Sequence, residues 1–262
     1  MKIKQVLNAL EKFAPLPLQE SWDNAGLQVG LTEADVSGVL LCLDVTEAVM
    51  DEALAEGCNL IVSHHPLLFH GIKQLTDGNM VNRCVIKAVK HDIAVVSMHT
   101  NMDNARNGVN WKIAEHMGLR NVRFMACKAV AENVEAGSGV VGELASAMAA
   151  ADFISMVKER FGVKCAMCNE LLERPVRKVA ICGGAGDFLL DTAVEEGADA
   201  FVTGEMHYHQ YFGYGQRIQI CVTGHYESEQ FTTEVFRDII KSECPGVEVK
   251  TAHTNTNPIL YI

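Results

Sequence analysis

Histidines 64 and 65 stand side by side in IVSHHPLLFHG (61–71), directly after an apolar run and just before a proline. Asp103 follows a second apolar run in IAVVSMHTNMD (93–103), and His225 and Glu229 follow a third in IQICVTGHYESE (218–229). All five are nitrogen or oxygen donors of the kind that hold zinc, manganese, iron or nickel. A single histidine at a strand end is more often a packing or capping residue, but five donors at equivalent strand ends argue for a metal site. In an extended chain successive side chains point to opposite faces. His64 and His65 are therefore expected to face apart and to serve different ions, with Asp103 and Glu229 near or between the two. Two divalent cations about 3.5–4 Å apart polarise a substrate oxygen and acidify a shared water, which is the chemistry of hydrolysis.

Further polar residues accompany these donors. His99 and Asn101 precede Asp103 in HTNMD, and Glu205, His207 and His209 fall in TGEMHYH (203–209). Glu205 or His207 is a candidate general base or proton shuttle. Equally, such a carboxylate accepts the second ring N–H of a metal-bound histidine and fixes its tautomer. Asp23, in SWDNAGLQVG (21–30), joins His99 and Asn101 as a candidate for touching substrate or supporting the ligands; that stretch is too polar for packing and too particular for a plain loop. GGAG (183–186) matches neither phosphate-binding glycine pattern and reads as a tight strand-to-helix turn. Cys165 and Cys168 have zinc or redox spacing but lack a matching second pair. His70, His91, His116 and His253 read as surface or packing residues.

The elements that position these residues repeat. VLLCLDV, TEAVMDEALAEG and CNLIVS read as strand, helix and strand, and VAICGGAGD, FLLDTAVEEG and ADAFVTG follow the same order. At an offset of 140 residues, positions 39–63 and 179–203 share Val39/Val179, Cys42/Cys182, Asp51/Asp191, Ala53/Ala193, Glu56/Glu196, Gly57/Gly197 and Val62/Val202. At an offset of 126, His99 and Asp103 correspond to His225 and Glu229. The predicted fold is α/β, two related domains built from a duplicated strand–helix–strand unit. Its polar residues gather at the carboxyl ends of the strands, where open α/β sheets bind ligands. Residues 1–125 with 225–262 are expected to form one discontinuous domain and 126–224 the other. The Ala- and Gly-rich stretch near 132–150 reads as a connection, the following DFISMVKERFG as a helix, residues 1–16 as an amphipathic surface helix, and the tail as one or two strands.

Composition narrows the function. The formal net charge of −11 leaves no basic footprint for nucleic acid. No uninterrupted apolar run is long enough for a membrane span. Nine cysteines, an odd number, point to free thiols and the cytoplasm.

Taken together, SWDNAGLQVG, SHHPLLFHG, HTNMDNARNGVN, ICGGAGD, TGEMHYH and GHYESE resemble, in order, the motifs of the NIF-three-like family, known as GTP cyclohydrolase I type 2 homologues. The resemblance implies a two-domain α/β fold, a dinuclear metal centre in the cleft between the domains, and a homohexameric ring whose metal sites face inward. It carries the family's ligands onto His64, His65, Asp103, His225 and Glu229. The chain has the length of the family's short form. The function implied is metal-dependent hydrolysis of a small nucleotide-like or phosphorylated substrate, GTP cyclohydrolase-like chemistry included, although no guanine-reading motif is present. The alternative is a metal chaperone, or a metal-dependent regulatory or scaffold ring.

Overall fold

A computed structural model describes residues 1–129 and 135–262 of the chain. By packing it divides into two compact units, Met1–Met102 with Thr232–Pro258, and Asp103–Phe231 with Ile259–Ile262. Each carries its own sheet and its own apolar core, as the α/β reading requires.

Unit 1 comprises α1 (Ile3–Phe13), β1 (Gly26–Val29), β2 (Val39–Cys42), α2 (Glu47–Ala55), β3 (Leu60–Ser63), α3 (Met80–Lys90), β4 (Ala94–Ser97) and the start of α4 (Thr100–Asp103). Its sheet has the order β1-β4-β3-β2 and ends on β11 (Val249–Thr251). β2, β3, β4 and β11 run parallel, and β1 is antiparallel to β4. Every residue of β2, β3 and β4 is buried, which is why these strands read as continuous apolar runs instead of alternating ones. Leu40, Ile61 and Val95 form a core with Val49 and Met50 of α2 and Cys84 and Val85 of α3. α1 buries Ile3, Val6, Ala9 and Leu10 and packs with α9 (Thr232–Glu243), which contacts β2 and β11.

Unit 2 comprises α5 (Val109–His116), β5 (Arg120–Ala129), β6 (Glu135–Met148), α6 (Ala150–Phe161), β7 (Met167–Cys168), β8 (Val176–Cys182), α7 (Leu190–Glu195), β9 (Ala200–Thr203), β10 (Gln219–Val222) and α8 (His225–Glu229). The sheet order is β5-β6-β8-β9-β10-β7, with β8, β9 and β10 parallel. Phe201 is fully buried at its centre, among Ala180, Leu190, Ile220 and Val222.

The duplication seen in the sequence holds at the level of register. β2 pairs β3 with Val39 opposite Leu60, and β8 pairs β9 with Val179 opposite Ala200, the same alignment 140 residues on. The helix ends repeat as well. Cys58 N–H bonds the Ala53 carbonyl and Ala198 N–H the Ala193 carbonyl, around left-handed Gly57 and Gly197. Two expectations change. The Ala- and Gly-rich stretch is a long strand, β6, because its small residues admit close neighbours: a Cβ on Gly137 would come 2.7 Å from the Phe124 ring. The expected boundary at residue 125 falls inside β5, which pairs with β6. The tail supplies one strand, β11, within the expected one or two. Among the described residues no helix is long and apolar enough to cross a membrane.

Gly30 closes the SWDNAGLQVG stretch with φ at 108°, and a Cβ there would lie 2.6 Å from the Cα of Ala94. The left-handed backbone alone costs a non-glycine residue about 1–3 kcal/mol, and the obstruction is main chain that cannot rotate away. Gly30→Ala is expected to lower the unfolding free energy by at least that amount, read as a lower urea midpoint at unchanged slope; an unchanged midpoint would show that the β1–β4 pairing does not depend on this approach.

Candidate metal centre

In unit 1 the extended backbone of β3 ends at Ser63, and His64 and His65 lie in the bend beyond it. Ser63 Oγ and Ser97 Oγ donate to the His65 carbonyl at 2.9 and 3.2 Å and hold the bend. Alternation stops where the strand stops, so the expectation that the two histidines must face apart is corrected: their ring centroids lie 4.9 Å apart. The His99 ring lies 5.2 Å from His64 and 5.4 Å from His65. One donor atom from each of the three lies within 4.8 Å of the other two, the spacing of ligands around a metal ion.

Each imidazole is also held at Nδ1 by an oxygen that can only accept. His64 Nδ1 meets the Met98 carbonyl at 3.0 Å, His65 Nδ1 the Asp44 carboxylate at 2.8 Å, and His99 Nδ1 the Asp23 carboxylate at 2.8 Å. A carbonyl or carboxylate partner places the proton on Nδ1 and the lone pair on Nε2, the tautomer that ligates through Nε2. This donor set fits a divalent cation of borderline softness. Burial pushes the Asp23 carboxyl up, but bonds from His99 and Thr100 outweigh it and bring it down to about 2. Burial likewise pushes Asp44 up, and its bond to His65 leaves it below the usual carboxylate range. Thr256 donates to the second oxygen of Asp44 at 2.7 Å.

Unit 2 carries a second set at the ends of its parallel strands. His225 and Glu229 share one face of α8, four residues apart, and His225 Nε2 lies 3.1 Å from Glu229 Oε2. Glu205 Oε1 lies 3.3 Å from His225 Nδ1. By the register of the duplicated strands Glu205 stands where His65 stands in unit 1, and Gly204 where His64 stands. Gly204 is required by its neighbours, since a Cβ would lie 2.6 Å from Ser228 Oγ and 3.0 Å from the His225 Cα. Gly184 of GGAG accepts the Gly204 and Glu205 N–H groups at 2.9 and 3.0 Å, so that stretch works as a tight turn that fixes the strand end. Asp103 ends α4, and its carbonyl accepts the Asn110 side-chain amide at 3.2 Å. Burial pushes the Cys182 thiol up, and the nearby charges of Asp103 and Glu229 push it further. An open cavity of about 300 Å³ is lined by Asp187, Glu205, His207, His225 and Tyr261.

The structure thus gathers His64 and His65 with His99, and His225 and Glu229 with Glu205. His207 is exposed at the rim of the cavity. Asn101 is fully buried and donates to the Ala14 carbonyl at 2.8 Å, a contact with backbone. Sequence reasoning missed Asp44, whose only signal was its place directly after the VLLCL strand. Cys165 and Cys168 are exposed free thiols.

Two α/β units with imidazole and carboxylate donors at the carboxyl ends of parallel strands define an α/β protein with a candidate metal centre. The profile of the Duf34/NIF3 (NGG1p interacting factor 3) family matches residues 1–258, and the chain belongs to that family. A Clostridium perfringens protein named GTP cyclohydrolase 1 type 2 homolog is 36% identical over 230 residues, 87% of each chain. A Lactococcus lactis protein of the same name is 31% identical over the whole of both chains. Among solved structures, a Staphylococcus aureus hypothetical protein superposes with a TM-score of 0.91 at 29% identity, covering 100% of this chain and 99% of that one. A Bacillus cereus protein related to NIF3 gives 0.90 at 24% identity, with the same coverage.

A folded-state carboxyl near 2, below the ordinary value of about 4, makes ionised Asp23 stabilising above pH 4, and that contribution disappears as pH falls through 2. The thermal midpoint of the wild type is expected to fall more steeply between pH 4 and 2 than that of Asp23→Asn. Parallel decline in the two proteins would count against the bond to His99 as the cause.

Proposed function

We propose that the protein is a dinuclear metal-binding protein that hydrolyses a small nucleotide-like or phosphorylated substrate, with His64, His65, Asp103, His225 and Glu229 as its ligands. The observation that carries the reading is the convergence of three histidines, each anchored at Nδ1 by an oxygen acceptor. The names of the relatives, GTP cyclohydrolase 1 type 2 homolog, favour nucleotide chemistry.

When bound, divalent cations acidify a water and polarise a substrate oxygen. The chain's own residues do the rest. Met98, Asp44 and Asp23 fix the imidazole tautomers, so the donors are oriented before any cation arrives. Glu205 holds the Nδ1 side of His225 and, with more than half of its side chain exposed, is placed to exchange a proton with solvent. His207, at the cavity rim, is a second proton carrier. His99 takes part as a third imidazole of the cluster.

The same reading includes a homohexameric ring and a cytoplasmic location. The nine free cysteines support a reducing compartment. Sedimentation is expected to give six times the 28.6 kDa of one chain.

Protein reconstituted separately with zinc, manganese, iron and nickel is expected to bind two ions per chain by elemental analysis and to turn over GTP, another nucleotide or a generic phosphoester with at least one of them. His65→Ala is expected to lose bound metal. Absence of turnover with every metal, or turnover that survives Asp103→Ala combined with Glu229→Ala, would sink the hydrolase; if metal were then released readily to a chelator, a chaperone would be the better description.

A further inference from the structure

SWDNAGLQVG is the one polar signature that metal ligation does not exhaust, and the structure gives its side chains separate tasks. Asp23 holds His99. The Asn24 side-chain amide donates to the Leu68 carbonyl at 2.6 Å, and Gln28 Oε1 accepts the Leu68 N–H at 3.1 Å. Gln28 Nε2 donates back to the Asn24 carbonyl at 2.6 Å. These bonds clasp the 22–28 segment to the loop that runs from His64 and His65 to Phe69.

The clasp sets Trp22 beside Phe69. The two rings lie 5.8 Å apart, tilted by 47°, and remain 59% and 42% exposed. Both border the histidine cluster: the His99 ring lies 5.9 Å from Trp22 and 6.2 Å from Phe69. Large aromatic rings normally give up much of their surface to the interior. Here a network of hydrogen bonds holds two of them outward, within one ring's width of a candidate metal ligand. Phe69 also lines an open depression of about 480 Å³ with His70, Lys73 and Gln74, which offers room and a cationic group for the rest of a bound molecule.

We infer that Trp22 and Phe69 form a stacking platform for a planar heteroaromatic ring of nucleobase size, borne by a substrate whose anionic end reaches the histidine donors. The inference rests on the metal-centre reading above and narrows its substrate to ring-bearing molecules. Stacking is tolerant of ring identity because every base presents a π-face. This accounts for an aromatic-binding site in a chain that has no guanine-reading motif.

The test uses the full-length, zinc-loaded protein, with GTP and ATP as ring-bearing probes and inorganic tripolyphosphate as the ringless one. In a Trp111→Phe background, Trp22 alone reports by fluorescence, and GTP and ATP are expected to quench it while tripolyphosphate does not. By calorimetry, Trp22→Ala and Phe69→Ala are each expected to weaken nucleotide binding about tenfold or more, with Trp22→Phe close to wild type. Tripolyphosphate affinity and zinc content should be unchanged. Equal affinity for nucleotide in the alanine variants, or equal loss for both kinds of probe, overturns the platform. So does shielding of Trp22 from acrylamide in the assembled protein without nucleotide, which would place a second copy of the chain on this face. If zinc and tripolyphosphate bind but nucleotides are not preferred, the platform fails and the metal centre stands; if the wild type holds no zinc and binds neither probe, both fail.

Discussion

A parallel strand buried on both faces has one place to present a polar side chain, the point where it runs out of sheet. β2, β3 and β4 are buried at every residue, as are β9 and β10. Polar chemistry is therefore confined to the first residues past their carboxyl ends: Asp44 after β2, His64 and His65 after β3, His99 after β4, Glu205 after β9 and His225 after β10. The apolar interior that stabilises each unit by burial also dictates where its donors stand.

Duplication supplies two such edges, and divergence has given them different chemistry. Where unit 1 has the imidazole of His65, unit 2 has the carboxylate of Glu205; where unit 1 has His64, unit 2 has a glycine that lets α8 come close. One edge is rich in imidazole donors, two of them held by carboxylates, and the other is rich in carboxylates around His225. On the proposed reading, such a division combines ligands that tune affinity with groups that carry charge and protons.

Much of the architecture was legible in the sequence because buried parallel strands announce themselves as unbroken apolar runs and helix ends announce themselves as left-handed glycines. Gly57 and Gly197 mark the same cap twice. What escaped was set by contacts that composition does not encode. β6 looks like a linker because its alanines and glycines are chosen for close neighbours, and its pairing partner β5 crosses the expected boundary. The geometry of His64 and His65 was misjudged by one assumption, that the strand continues through them; two serine hydroxyls on the His65 carbonyl end it at Ser63. Asp44 was invisible because a lone acid after a strand has no motif around it, and its second oxygen is bonded by a threonine over two hundred residues away in sequence.

That threonine has a bearing on biogenesis. Thr256 and β11 belong to unit 1 but are the last part of it to be synthesised, after the whole of Asp103–Phe231. A nascent chain that has displayed both histidines of SHHP still lacks the hydroxyl that steadies Asp44 and the strand that covers the β2 edge. The acid that holds His65 therefore gains its last supporting bond, and the unit-1 sheet its last strand, only after the segment that carries both histidines and the whole of Asp103–Phe231 have been made.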